Sequence, residues 1–107
     1  MELTQYSIVL VNLDPTIGSE IKKTRPCVVI SPDEMNKFLS TIVIAPMTTN
    51  LKKYPTRVSV EHNEKRGMIA IDQIRTVDKI RIVKVFEGLT KTEIENCKAV
   101  IKETYVD

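Results

Sequence analysis

The sequence predicts a mainly β fold, a small barrel with two helices, in one domain spanning residues 1–107. Three observations carry that expectation. β-branched residues are abundant, and turn signals recur at short intervals. The runs IVLV (8–11), CVVI (27–30) and TIVIA (41–45) are continuously apolar rather than alternating, which predicts strands buried on both faces, in a barrel or beneath a helix. A chain of 107 residues with 42% apolar content suffices for one hydrophobic core and leaves little to spare.

Taken in order, the predicted strands are 6–13, 25–31, 40–47, 56–61, 67–72 and 79–86. Two helices interrupt them. Ser31-Pro32-Asp33-Glu34 offers a serine N-cap, proline at the first helical position and glutamate at the third, opening a short helix near 32–38. Thr90-Lys91-Thr92-Glu93 repeats that arrangement before a terminal helix near 90–105. There Ile94, Cys97, Ile101 and Tyr105 recur at helical spacing and form one apolar face, expected to pack on the barrel.

Composition excludes several classes. No apolar stretch approaches the roughly 20 residues that span a bilayer. The opening MELTQYS lacks the basic and apolar regions of a secretory signal, so a cytoplasmic location is expected. Cys27 and Cys97 have no paired short spacing, which predicts two buried free thiols rather than a disulfide framework or a zinc site. Net charge is only +2, but residues 22–84 carry 13 Lys/Arg against 6 Asp/Glu, a net of +7 between acidic ends. A basic middle of this kind suits an anionic partner such as nucleic acid.

Three polar clusters stand between the predicted strands. The first, DPTIGSEIKKTRP (14–26), is longer than the 2–5 residues usual in a hairpin loop. It holds the hydroxyls of Thr16 and Ser19, the conformational freedom of Gly18, the carboxylate of Glu20, and the cations Lys22, Lys23 and Arg25. Pro26 biases Arg25 toward extended backbone, so Arg25 is expected to open the second strand and present a bidentate fork suited to phosphate. The second cluster, APMTTNLKKYP (45–55), combines Thr48, Thr49, Asn50, Lys52, Lys53 and Tyr54, groups able to contact phosphate, sugar and base. The third, DQIRTVDK (72–79), reads as a polar interruption in which Asp72 and Arg75 serve as surface charges. Read from composition alone, the first cluster favours a solvated, lysine-rich loop, and the second is equally a hydrophilic turn punctuated by Pro55.

Nothing local supports a catalytic Cys–His pair. His62, the one histidine, lies in HNEKRG, which reads as an exposed turn. Metal-ligand spacing and a P-loop are both absent, so an enzyme of this sequence is expected to use neither metal nor nucleotide cofactor.

In order along the chain, IVLVNLDPTIGSEIKKTRPCVVIS (8–31), TIVIAPMTTN with KKYP (41–55) and IDQIRTVDKIRIVK (71–84) resemble the MazF/PemK family of toxin endoribonucleases. DPT-x-GSE followed by KTRP is the specific part. Tyr6-Ser7 departs from the Gly-Asp pair frequent in the family, and 57–68 is individual, so base preference does not carry over. The resemblance implies an SH3-like β-barrel of the CcdB/PemK type, in a homodimer. It also implies metal-independent, sequence-specific cleavage of single-stranded RNA to 2′,3′-cyclic phosphate and 5′-hydroxyl ends, with neutralisation by a cognate antitoxin.

By the same resemblance the catalytic positions match Arg25 and Thr48, with Glu20 at a position often implicated in activity. RNA contacts are implied in the first loop at Thr16, Gly18, Ser19, Lys22 and Lys23. Further along they fall at Pro46, Thr49, Asn50, Lys52, Lys53 and Gln73. The resemblance also gives the arginine the role of general base, but a guanidinium is a poor base at neutral pH. Glu20 and substrate-assisted transfer therefore stand beside it as alternatives, and Arg25 is read first as an electrostatic stabiliser. Two rivals remain beside this reading: a CcdB-like toxin that poisons DNA gyrase without cutting RNA, and an RNA-binding barrel without activity. The TRP motif and the threonine cluster favour the nuclease.

Overall fold

The computed structural model of the chain describes residues 2–13 and 24–106. Its strands are β1 (Ser7–Asn12), β2 (Thr24–Val29), β3 (Thr41–Thr48), β4 (Arg57–His62), β5 (Lys65–Ala70), β6 (Arg75–Asp78) and β7 (Ile82–Gly88). The helices are α1 (Asp33–Phe38) and α2 (Lys91–Ile101), with 3-10 turns at Ile71–Gln73 and Lys79–Arg81. Antiparallel pairing gives the order β4-β5-β3-β2-β1-β7, with β6 against β3, and the sheet curls into a half-barrel carrying α2.

Continuous apolar runs behave as expected because both faces of the central strands are covered. Ile8, Val28, Ala45 and Met47 join one core with Val58, Val60, Ile69, Ile71, Leu89 and Cys97. Their neighbours Val9, Val11, Cys27, Val29, Ile42 and Ile44 join a second core with Leu3, Val77 and Ile82. Successive side chains leave a strand on opposite faces, so two cores demand apolar residues at every position. α2 seals the first core with Cys97, while Ile94, Val100 and Ile101 pack at its edge.

The terminal helix starts as its sequence predicts. Glu93 N–H donates to Thr90 Oγ1 at 3.2 Å and Thr90 N–H donates to Glu93 Oε1 at 2.9 Å, closing the capping box. Its far end differs from the single helix expected to 105. Past Ile101 the chain forms a π-helical turn, Lys102–Val106, and Tyr105 stays largely exposed while its hydroxyl donates to the Ile71 carbonyl at 2.6 Å.

Other expectations are corrected by tertiary contacts. Ser31 does not cap α1; Pro32 occupies the N-cap without a side-chain bond. The Ser31 hydroxyl is buried, donating to Asn36 Oδ1 and accepting from Val43 N–H, while Asn36 Nδ2 donates to the Leu3 and Ser31 carbonyls. A buried hydroxyl must find partners, and here they are Asn36 inside α1 and Val43 on the neighbouring strand. Residues 75–78, read as a polar interruption, form β6, because Thr41–Ile44 of β3 offers an open edge and only Val77 needs burial. The strand expected at 67–72 runs 65–70, since a two-residue turn with Asn63 and Glu64 at positive φ starts it earlier. The strand expected at 79–86 is displaced to 82–88 by the 3-10 turn before it.

Tyr6 has φ 67°, donates its N–H to Val29 O at 2.7 Å and accepts from Leu89 N–H at 2.9 Å. Left-handed backbone favours glycine, so Tyr6 holds a conformation that L side chains rarely adopt, fixed by these two hydrogen bonds. Among the described residues no helix is long and apolar enough to cross a membrane.

Both cysteines are buried and free, and burial pushes each thiol up to about 12. Only about one thiol in ten thousand is then ionised at pH 8, and the thiolate is the reactive form. Iodoacetamide at pH 8 is expected to leave the native protein unmodified and to label both cysteines after unfolding in urea, as read by intact mass.

Candidate active site

Strand register, rather than proximity in sequence, joins Arg25 to Thr48. β2 and β3 pair as Val29↔Ile44, Val28↔Ala45 and Cys27↔Pro46, and carrying that antiparallel register two residues further sets Arg25 abreast of Thr48. At this point β3 turns to a different partner on its other edge, with Met47↔Ile69 and Thr48↔Met68 against β5. The resulting cleft, about 480 Å³, has Leu10, Pro26 and Met47 on its apolar floor and Arg25, Thr48 and Thr49 on its rim.

Arg25 is exposed, and among the described residues its guanidinium has no side-chain partner, so its donors are available. Thr48 is held differently. Its Oγ1 accepts from the Asn50 N–H at 3.2 Å, which orients the hydroxyl and leaves its own hydrogen to donate into the cleft. Asn50 Oδ1 in turn accepts from Lys52 N–H at 3.1 Å. Two successive side-chain turns thus shape the segment after β3.

Below this segment Arg57 Nε donates to Asp72 Oδ1 at 2.8 Å, and the Thr56 hydroxyl donates to the same oxygen at 3.0 Å. The Arg57 hydrogen bond, followed by that of Thr56, holds the Asp72 carboxyl below its ordinary range. This brace is strongest above the ordinary carboxylate pKa and weakens as pH falls through the depressed one. Asp72 therefore anchors the β3–β4 connection rather than serving as a plain surface charge. Arg57 and Lys52 both lie over the Tyr54 ring, at 5.2 and 5.3 Å.

Other expected site residues are distributed. Lys53 lines a smaller adjoining pocket. Pro46 is buried in β3 opposite Cys27, and Gln73 is exposed on a 3-10 turn; neither lines the cleft. Thr16, Gly18, Ser19, Glu20, Lys22 and Lys23 lie outside the described residues.

The cleft also includes His62, which the sequence set aside as part of an exposed turn, and Lys65, Arg66 and Phe86, which it did not single out. His62 is not in an exposed turn: it ends β4, half-buried, with its ring edge-on to Phe86 at a centroid distance of 4.7 Å. The turn begins only at Asn63. The one signal available was the charge of KRG (65–67), which with Arg25 puts three cations around one opening. Among the described residues no group of three or more His, Cys, Asp or Glu is placed to hold a metal ion.

Residues 4–105 match the family described as PemK-like, MazF-like toxin of type II toxin-antitoxin systems. The chain belongs to this family. Endoribonuclease MazF of Staphylococcus epidermidis is 34% identical over 93 residues, covering 81% of this chain and 78% of that protein. Endoribonuclease MazF of Staphylococcus saprophyticus is 38% identical over 81 residues, covering 70% and 68%. Among solved structures, a MazE–MazF crystal structure from Deinococcus radiodurans aligns with TM-score 0.81 at 21% identity, over 96% of this chain and 95% of that one. An endoribonuclease in complex with its cognate antitoxin, from a mycobacterial species, aligns with TM-score 0.80 at 16% identity, over 94% and 91%. At these identities the structural matches establish the PemK/MazF fold.

Gly67 is what lets β5 approach Thr48. A Cβ at Gly67 would stand 2.9 Å from the Thr48 carbonyl oxygen, a backbone atom that cannot swing aside. Gly67→Ala is therefore expected to destabilise by about 1–3 kcal/mol through overpacking, against the propensity gain alanine ordinarily brings to a strand. A lowered urea midpoint, with amide shifts perturbed at Thr48 and Thr49, checks this; an unchanged or raised midpoint contradicts it.

Proposed function

We propose that this protein is a type II toxin that cuts single-stranded RNA at a short sequence. The observation that carries the reading is the meeting of Arg25 and Thr48 in one cationic cleft, reached through the β2/β3 register. Two relatives named endoribonuclease MazF, at 34% and 38% identity, support it over the gyrase-poison alternative. In this reading residues 1–107 act as one toxin domain, in the cytoplasm, as a homodimer.

The reaction is internal transfer at phosphorus. The ribose 2′-oxygen loses its proton and bonds to phosphorus, the bond to the 5′-oxygen breaks, and that oxygen takes up a proton. A 2′,3′-cyclic phosphate and a 5′-hydroxyl result, with no metal taking part. Arg25 supplies fixed donors to the phosphoryl oxygens as negative charge accumulates there, an effect worth about 10²–10³ in rate for a well-placed donor. The oriented Thr48 hydroxyl donates to the same group. The floor of Leu10, Pro26 and Met47 holds ribose or base and limits water, which strengthens both interactions.

An antitoxin is the natural partner. Two aligned structures, one named as an endoribonuclease with its cognate antitoxin and one as MazE–MazF, support a complex of that kind here. The net +7 of residues 22–84 suits an acidic segment laid over the RNA cleft.

Incubating the protein with a long single-stranded RNA in EDTA, with both fragment ends mapped, tests the reading. Cleavage with 5′-hydroxyl ends is expected, reduced at least about a hundredfold in Arg25→Ala and in Thr48→Ala with the thermal midpoint retained. Retained cutting in both variants would remove these residues from the site. No cutting by a folded wild type would favour a protein-binding toxin.

The base lies among Glu20, a phosphate oxygen of the substrate, and His62, which the fold brings to the cleft wall. pH–rate profiles of Glu20→Gln and His62→Gln separate them. Loss of the rising limb in one variant identifies that residue, and persistence in both removes Glu20 and His62 as the base.

A further inference from the structure

Beside the cleft lies a second pocket of about 220 Å³, and Arg66 and Gly67 line both. Its floor is made of two cross-strand pairs of the β4–β5 hairpin, Ser59↔Met68 and Glu61↔Arg66. Alternation sends these side chains to the face opposite Val58 and Val60, which are buried in the core. The Ser59 hydroxyl contacts Met68 Sδ at 3.6 Å. Leu51 and Lys53, from the β3–β4 connection, complete the wall.

The polar groups here are uncommitted in a particular way. Glu61 and Arg66 are directly opposed and exposed, yet among the described residues neither side chain has an ion-pair or hydrogen-bond partner. Glu93, at the pocket's end, is by contrast occupied: its carboxylate accepts from Thr90 N–H and from Glu61 N–H. The pocket therefore presents a free carboxylate beside a free guanidinium, against the apolar Leu51 and Met68. It is smaller than the roughly 300–1,000 Å³ of sites for drug-sized ligands. That suits a flat, polar-edged heterocycle better than a peptide segment.

We propose that this pocket holds the base of a nucleotide adjoining the scissile phosphate and selects one with an exocyclic amine. The inference rests on the nuclease reading above and deepens it. Glu61 accepts from the amine of adenine, cytosine or guanine, and Arg66 donates to the neighbouring ring nitrogen or carbonyl. Uracil presents its single N–H between two carbonyl oxygens, which a carboxylate repels. A carboxylate can only accept, so the discrimination is chemical rather than steric. Lys53 meets the phosphate of the same nucleotide and adds affinity without selectivity.

The test is a digest of random-sequence single-stranded RNA in EDTA by wild type, Glu61→Ala and Glu61→Gln, with cut sites sequenced and melting followed for each protein. Wild type is expected to disfavour uracil at one position within two nucleotides of the cut. Glu61→Ala should relax that discrimination about tenfold or more while leaving other positions unchanged, and Glu61→Gln should admit uracil, because an amide also donates. Lys53→Ala should slow all sequences alike. Unchanged base preference in folded Glu61 variants overturns the proposal, as does uniform loss of cutting, which would put Glu61 in the chemistry. Variants that keep the preference but escape a cognate antitoxin would make the pocket a protein contact and overturn it too. A wild type that cuts no RNA removes the nuclease reading itself, whereas a cutting wild type with an indifferent Glu61 removes only this one.

Discussion

Strand β3 is the constraint on which the rest of the structure depends. One of its edges pairs with β2, and the other divides between β6 over Thr41–Ile44 and β5 over Met47–Thr48. Both of its faces are buried, Ile42 and Ile44 in one core and Ala45 and Met47 in the other. A strand committed on two edges and two faces has little freedom to slip, because a shift of one residue would exchange the two apolar sets. Thr48 sits at the end of this strand, so its backbone is held by an element paired on both edges. The approach of β5 through Gly67 and the turn at Asn50 then set its carbonyl and its hydroxyl.

That mechanical arrangement has an electrostatic counterpart. Arg25, Lys65 and Arg66 come from two different hairpins and converge on a cleft whose floor is apolar. Cations beside low-dielectric walls attract a polyanion more strongly than the same charges scattered over a surface. An apolar floor would be wasted on phosphate alone, but it suits the sugar and base faces of a nucleic acid strand. Arg57 is excluded from this set because Asp72 neutralises it, and the pair steadies the β3–β4 connection instead. Exposed charges in the same protein thus divide into those that brace and those left available, and only contacts reveal the division.

Local signals in the sequence did determine a good deal. The capping box at Thr90 and Glu93 fixed the start of α2, since its partners lie three residues apart. Unbroken apolar runs specified strands buried on both faces. Motif resemblance pointed to Arg25 and Thr48 as expected site residues, and the β2/β3 register is what brings the two abreast. The reading failed where partners were remote. Ser31 has the sequence of a cap, but its hydroxyl serves Asn36 and Val43. Arg75–Asp78 is too polar to look like a strand, and becomes one because β3 leaves an edge to cover.

By itself the sequence determined the mainly β character, the buried thiols and the basic middle. These follow from local periodicity, short-range capping and residue chemistry, all of which are properties of neighbours in the chain. Only the tertiary structure decided which cations share an opening, that His62 and Phe86 stand on the cleft wall, and that Glu61 faces Arg66 in an adjoining pocket. Those facts depend on strand register and sheet curl, which arise from pairings between distant segments and leave no local trace.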